Sequence, residues 1–119
     1  MEVVEVEMAF RPAPEYEVWL ADVGLVSSRR DALTKDDEYI TGAPELVIEV
    51  LSPGNTVDEI NDKMNVCLSN GCRSFWTADP KLFRVSVTGG EARHYLRTEY
   101  ITCSLLDAPV LVSDIFGFN

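Results

Sequence analysis

With 119 residues and a mass of 13.3 kDa, the chain has the usual size of one domain and no room for two. Its 46% apolar and 25% charged residues are near the average for globular proteins, which excludes a disordered, a collagen-like or a membrane-spanning chain. The N-terminus lacks the basic start and the unbroken apolar stretch of a secretory signal, so we expect a cytoplasmic protein with no membrane partner.

The cysteine content fits that compartment. The chain has three cysteines, Cys67, Cys72 and Cys103, and an odd number cannot form a complete disulfide framework. Cys67 and Cys72 are separated by four residues, which is not a zinc-knuckle spacing, and His94 is the only histidine. We interpret the cysteines as buried free thiols.

The net charge of −10 is unevenly distributed along the chain. Residues 1–72 hold fifteen acids and five bases, whereas residues 73–119 hold five of each. Nucleic-acid binders normally present a basic face, because neutralising phosphates supplies most of their affinity, so the charge alone argues against DNA binding. An acidic cluster can mark a divalent-cation site, although a solvated acidic surface is the more frequent explanation.

Three segments of the N-terminal half have the patterns of strands. Residues 3–10 alternate apolar and acidic side chains, which predicts a half-exposed strand with Val4, Val6, Met8 and Phe10 on one face. Residues 18–26 are almost continuously apolar, as in a strand covered on both faces. A polar connection with a short helical turn follows over 27–42, and residues 45–51 form the third strand, which the sequence Ser-Pro-Gly ends.

A capped helix follows the third strand. Thr56 and Glu59 fit a capping box, an apolar stripe continues at helical spacing, and Gly71 suits the C-terminal cap, which predicts a helix over 56–70. Residues 73–78 then form a strand with Phe75 and Trp76 in the core. Strand, helix and strand in this order predict a right-handed crossover between parallel neighbours. Around Gly89-Gly90, residues 82–88 and 92–97 predict a hairpin, and a short strand falls within 104–118.

Two carboxylates interrupt these apolar strands. Burial of an unpaired carboxylate costs several kcal/mol, so Asp22, in the middle of the second strand, is expected to be paired, protonated or metal-bound. The alternative is a strand-end aspartate that caps a neighbouring loop. Glu49 raises the same question on the third strand; Glu45 faces the same way but lies roughly 13 Å away, too far to share an ion. Asp22 and Glu49, one from each strand, could meet at bonding distance from Mg²⁺.

Lys63 is the third candidate. It flanks the apolar stripe of the helix beside Cys67, a position from which its ammonium could point along the sheet toward the carboxylate pair. The alternative is a lysine whose stem packs on the helix while its head stays in solvent. Serine hydrolysis and nucleotide-driven chemistry have no support, since Ser52 lacks a nucleophile elbow and glycine-rich phosphate loops are absent from the sequence.

The third strand and its surroundings resemble a known bacterial family. Residues 44–53, Pro-Glu-Leu-Val-Ile-Glu-Val-Leu-Ser-Pro, are similar to the signature strand of the putative restriction endonuclease domain family, a cyanobacterial-type branch of the PD-(D/E)xK nuclease superfamily. Residues 21–26 resemble the strand in which that family carries Pro-Asp. The family's helix with an aspartate and a lysine, its glycine and its strand ending in Asp-Pro have counterparts in Asp58, Lys63, Gly71 and residues 75–80.

The resemblance implies both a fold and a reaction. The implied fold is a single α/β domain over 1–119, a restriction-endonuclease-like mixed sheet with a packed crossover helix and a C-terminal hairpin. Asp22 and Glu49 would ligate Mg²⁺ or Mn²⁺, which activates water for in-line attack on a DNA phosphodiester. The family's usual lysine position is Leu51 here, and Lys63 would replace it, orienting the water or the phosphate.

The chain departs from the family pattern in ways that leave a second function open. It has Ala21 where the family favours proline and Cys67 at a usually aromatic position, and it apparently lacks the family's N-terminal helix and hairpin. A homodimer or higher homo-oligomer is one way to complete such a domain. The alternative to a metal-dependent DNA endonuclease is therefore an inactive nuclease-fold remnant that serves as an oligomerising or partner-binding module.

Overall fold

A mixed seven-stranded sheet dominates the structure, a computed structural model that describes residues 2–33, 39–89 and 92–116. A separate two-stranded sheet and three helices complete the described part of the chain. The elements are β1 (Glu2–Arg11), β2 (Trp19–Ser27), α1 (Ser28–Leu33), β3 (Ile40–Thr41), β4 (Leu46–Val50), α2 (Val57–Ser69), β5 (Ser74–Asp79), β6 (Arg84–Thr88), β7 (Arg93–Leu96), β8 (Tyr100–Ile101), β9 (Val110–Leu111) and α3 (Val112–Ile115).

The order of strands in the large sheet is β3-β1-β2-β4-β5-β6-β7. β4 and β5 are parallel and joined through α2, whereas β2 pairs with β4, and β6 with β5 and β7, in antiparallel fashion. The predicted α/β class, the parallel crossover and the C-terminal hairpin are therefore confirmed. Part of the hairpin turn, Gly90, lies outside the described residues.

Helix α2 begins and ends as its sequence predicts. The Thr56 hydroxyl accepts a hydrogen bond from the backbone N–H of Glu59 at 3.1 Å, which satisfies one of the free donors of the first turn. At the other end Asn70 is the C-cap, and Gly71 follows with a φ of 109°, a left-handed conformation that glycine adopts without strain. Cys67 is the fully covered residue of the helix and faces the sheet.

Apolar side chains cover both faces of the central strands. On the α2 face the core contains Val47 and Phe75, and on the opposite face it contains Leu46 and Trp76. The period-2 alternation along β4 and β5 produces this division. The predicted core positions of Phe75 and Trp76 are confirmed. In the described part of the chain, no helix combines the length and the apolar character needed to cross a membrane.

Strands β1 and β2 are less covered than their sequences suggest. On β2 the expectation of cover on both faces is wrong for Leu20, which is 56% exposed. The prediction of one buried apolar face on β1 is wrong for Val4 and Val6, which are 59% and 76% exposed, although Met8 and Phe10 are buried. Between the two halves, Glu7 has a φ of 53°, which interrupts the regular strand, and β3 pairs only with the last two residues of β1. A long apolar run does not reveal which of its positions another element covers.

We expect Phe75→Ala to lower the free energy of unfolding by about 3–5 kcal/mol, because it empties a fully buried position against α2. Urea denaturation followed by circular dichroism measures the change. Leu82→Ala is the matched control: its side chain is 56% exposed, so its effect should stay within about 0.5 kcal/mol. Equal effects of the two substitutions would contradict the described core.

Candidate active site

Glu49 lies near the carboxyl end of β4 on the face covered by α2. Its side chain is buried, and its Oε2 accepts a hydrogen bond from the backbone N–H of Asp22 at 3.0 Å. Burial raises the pKa of the Glu49 carboxyl above its ordinary value, while the neighbouring Lys63 ammonium and the Asp22 N–H act in the opposite direction. The carboxylate is thus held at a position where its charge needs compensation.

Asp22 lies opposite Glu49 on the neighbouring strand β2. Its Oδ2 accepts a hydrogen bond from the backbone N–H of Val50 at 2.8 Å. The last backbone pair of the β2–β4 ladder is Val23 with Ile48, so Asp22 and Glu49 occupy the next step. There each carboxylate accepts a hydrogen bond from a backbone N–H of the opposite strand. If the ladder continued, a backbone carbonyl would accept that bond. The expectation that Asp22 is buried is wrong: its side chain is exposed.

Lys63 extends from α2 into the same place. Its Nζ donates a hydrogen bond to the backbone carbonyl of Leu20 at 2.7 Å and forms an ion pair with Oε1 of Glu49. The ammonium therefore contacts Glu49 instead of extending into solvent, and the side chain is 24% exposed. The structure therefore brings together all three predicted site residues, from two strands and one helix.

Glu45 has a different environment from Glu49 on the same face of the same segment. Its carboxylate accepts a hydrogen bond from the Ser27 N–H at 2.7 Å and pairs with the guanidinium of Arg30. Arg30 also donates to the backbone carbonyls of Thr41 and Ala43, both at 2.9 Å. This second ion pair ties α1 to the loop before β4. It supports the expectation that Glu45 and Glu49 serve separate sites.

The donor set at the Asp22–Glu49 pair is suited to a hard cation. Mg²⁺ binds proteins through one or two carboxylates and keeps several waters, and each carboxylate has about four lone-pair positions for its partners. Among residues 2–33, 39–89 and 92–116, no group of three or more His, Cys, Asp and Glu side chains is arranged to hold a metal. Two carboxylates match the number of protein ligands that a partly hydrated Mg²⁺ takes.

The thiols of Cys67 and Cys72 and the imidazole of His94 do not add soft metal ligands to the Asp22–Glu49 pair. Burial raises the pKa of the Cys67 thiol to about 12 and that of Cys72 to about 11, so both stay protonated at neutral pH. Both are free thiols in the core, as expected, whereas Cys103 is free but only half-buried, so the expectation of a buried thiol is wrong there. His94 is exposed on β7, where its Nδ1 bonds to the Ser86 hydroxyl at 2.7 Å.

Two contributions to the site have no signal in the sequence. The Leu20 carbonyl and the Val50 N–H are backbone groups, which every residue type provides. Their roles depend on where the β2–β4 ladder ends, and the sequence does not specify that point. The Arg30–Glu45 pair was likewise missed, because fifteen residues separate its partners.

Comparison with known proteins places the chain in a family. The sequence profile of the Uma2 family, described as putative restriction endonucleases, matches residues 3–118. The chain belongs to this family. Its fold is also that of a putative nuclease of DUF820 from Anabaena variabilis, whose crystal structure superposes with a TM-score of 0.78 at 18% sequence identity, over 98% of this chain and 68% of that one. No curated protein matches the chain.

These findings confirm the predicted family and the restriction-endonuclease-like fold. They support a nuclease at the family level. The carboxylate pair of this chain lies on β2 and β4, and Lys63 lies on α2, the helix that joins β4 to β5.

The ion pair predicts a pH-dependent response of Glu49. Lys63→Met removes the ammonium that counteracts burial, so we expect the Glu49 pKa to rise further above 4.5. Carbon-detected NMR of the glutamate carboxyl groups measures this titration. Lys81→Met, which removes an exposed lysine, should leave the Glu49 titration unchanged.

The raised pKa of Glu49 also determines how the stability of the folded protein changes with pH. A carboxyl whose pKa is raised in the folded protein contributes stability that is present below its unfolded value of 4.5 and lost as the pH rises through the folded pKa. In Lys63→Met this loss should extend to higher pH than in the wild type. If the Glu49 pKa is the same in Lys63→Met as in the wild type, the ion pair is contradicted.

Proposed function

We propose that this Uma2 protein is a metal-dependent endonuclease that hydrolyses DNA phosphodiester bonds. Asp22 and Glu49 would hold Mg²⁺ or Mn²⁺, and Lys63 would act beside them. The observation that carries the proposal is the convergence of two carboxylates and one ammonium, each held by a backbone or ionic partner, at one step of the β2–β4 ladder. Membership of a family described as putative restriction endonucleases supports it.

Bound at the pair, a divalent ion would lower the pKa of a coordinated water and stabilise charge on the phosphate. The protein's own part is positioning. Lys63 Nζ is held by the Leu20 carbonyl and Glu49, and an ammonium has three donors, so one donor is left for a substrate or a water. From there the ammonium orients the attacking water or the scissile phosphate, and its charge offsets that of the pentacovalent transition state.

The geometry also explains why Asp22 is exposed and Glu49 buried. A substrate phosphate has to reach the ion from solvent, and Asp22 forms the accessible side of the pair. Glu49, covered by α2, forms the fixed side, and its carboxylate cannot swing away because Asp22 N–H and Lys63 bind its two oxygens. An open and a fixed ligand together suit a catalytic rather than a structural ion.

Contact with DNA requires positive charge outside the acidic N-terminal half. Arg84 and Arg93 lie on β6 and β7, the two strands at the far edge of the sheet, and Arg97 follows β7. The Arg93 and Arg97 guanidinium groups stack over the rings of Tyr95 and Phe83 at 4.6 and 5.9 Å. This edge offers a phosphate-binding surface on a chain whose net charge is −10.

A specific observation favours the second candidate, a catalytically inactive module that self-associates. The first eight residues of β1 have no strand partner on their outer edge among the described residues, and Val4 and Val6 are exposed there. An uncovered apolar edge is a common surface for pairing with another chain. In that case the protein is a homodimer or higher homo-oligomer and the carboxylate pair is a structural feature.

Cleavage of supercoiled plasmid in Mg²⁺ or Mn²⁺ separates the two functions. We expect the wild type to nick the plasmid, and Asp22→Asn, Glu49→Gln and Lys63→Met each to slow nicking at least about 100-fold, since each removes a group that binds or orients the reacting atoms. Gel electrophoresis of nicked and linear forms over time gives the rates, and chelation of the metal should stop the reaction.

Glu45→Gln is the matched control. It neutralises a glutamate on the same segment that is also partly buried and ion-paired, but whose partner is Arg30. Nicking should persist in this variant. Equal nicking by the wild type and all four variants would indicate a contaminating nuclease, and complete inactivity of the folded wild type would favour the non-catalytic module.

A further inference from the structure

An open pocket of about 540 Å³ lies at the carboxyl ends of β4 and β5, beside the first turns of α2. Such a volume falls within the range of small-molecule sites. Aliphatic side chains such as Leu51, Val57 and Ile60 form most of its surface, and amide, hydroxyl, ammonium and carboxylate groups lie among them, including Asn61, Lys81 and Asp79. Val57 is 76% exposed although it is apolar, so an uncovered apolar surface is present there.

The pocket adjoins the candidate active site along two elements. Leu51 lies two residues beyond Glu49, about 7 Å further along the direction of β4. Ile60 lies one turn before Lys63, about 4.5 Å along the axis of α2. The pocket therefore begins two residues beyond Glu49 along the strand and one turn before Lys63 along the helix. A stacked strand advances about 3.4 Å per nucleotide, so spans of about 4.5 and 7 Å correspond to about one to two nucleotides.

We infer that this pocket receives the base of a nucleotide next to the scissile phosphate, so that the preferred substrate is DNA with an unstacked, unpaired nucleotide at the cleavage position. The inference rests on the proposed function and specifies its substrate class. Aliphatic walls accommodate the face of a base, and the Asn61 amide can both donate to and accept from a base edge.

The energetics favour unpaired DNA. A base inside a duplex must first leave its stack, which costs a few kcal/mol, and the cost is smallest for a base that is already unpaired. The lining contains one ammonium, Lys81, and one carboxylate, Asp79, which accepts a hydrogen bond from the Lys81 backbone N–H at 2.9 Å; the Lys81 ammonium supplies a charge for a flanking phosphate. A regular duplex bound over the site keeps its bases stacked, so that no base enters the pocket.

Binding of a mononucleotide tests the pocket without any metal. Thymidine 5′-monophosphate and 2-deoxyribose 5-phosphate, titrated separately in metal-free buffer, differ only in the base. We expect the nucleotide, but not the sugar phosphate, to shift the ¹H–¹⁵N NMR signals of Leu51, Ile60 and Asn61. Equal shifts with both compounds, or none with either, would overturn the inference.

Val57→Glu provides the variant, because it places a carboxylate on the apolar wall while a glutamate in the first turn of a helix is favourable for folding. It should weaken nucleotide binding at least tenfold. Val6→Glu is the matched control: it puts the same charge on a valine of β1 with the same 76% exposure, outside the pocket, and should bind as the wild type does.

Cleavage assays distinguish this inference from the function on which it rests. With a single strand and a duplex of the same sequence, the wild type should cut the single strand at least tenfold faster, and Val57→Glu should reduce that ratio. Cleavage that Glu49→Gln abolishes but that shows no strand preference would overturn the pocket's role and leave the nuclease intact. Nucleotide binding without any cleavage would overturn the nuclease and leave the base pocket.

Discussion

The structure depends on one exchange of hydrogen bonds between β2 and β4. Where their backbone ladder ends, the Glu49 carboxylate accepts from the Asp22 N–H, and the Asp22 carboxylate accepts from the Val50 N–H. This exchange keeps two negative charges close together at a step where two central strands would otherwise separate. The accumulated charge then requires a cation, and Lys63 supplies one in the described structure.

The crossover helix connects this exchange to the rest of the domain. The capping box at Thr56 and the left-handed Gly71 define where α2 begins and ends, and Cys67 packs against the sheet. With those points established, Lys63 has to project toward the β2–β4 junction and Ile60 toward the pocket one turn away. The same helix therefore positions a catalytic candidate and one wall of the pocket.

Much of this arrangement could be predicted from the sequence. The period of the apolar residues identified the strands and α2, and the order strand, helix, strand identified the parallel pair β4–β5. Asp22, Glu49 and Lys63 were recognisable because charged residues in or beside apolar segments need partners. The match of the Uma2 profile to residues 3–118 agrees with the family that the strand at 44–53 resembles.

The sequence could not predict which individual side chains are covered by other elements of the fold. Asp22 and Val6 sit in apolar patterns but are exposed, since coverage depends on which elements pack above a strand and on the break at Glu7. The Leu20 carbonyl and the Val50 N–H belong to the backbone, and their part in the site follows from the end of the ladder. The Arg30–Glu45 pair required the folded path of α1.

The central claim is that Asp22 and Glu49 form one site for a divalent cation. Paramagnetic broadening of ¹H–¹⁵N NMR signals by substoichiometric Mn²⁺ tests it most directly. The account predicts that the amides of Asp22 and Val50 broaden first and that Glu49→Gln abolishes this effect. Broadening spread over the exposed acids of β1, or unchanged in Glu49→Gln, would contradict it.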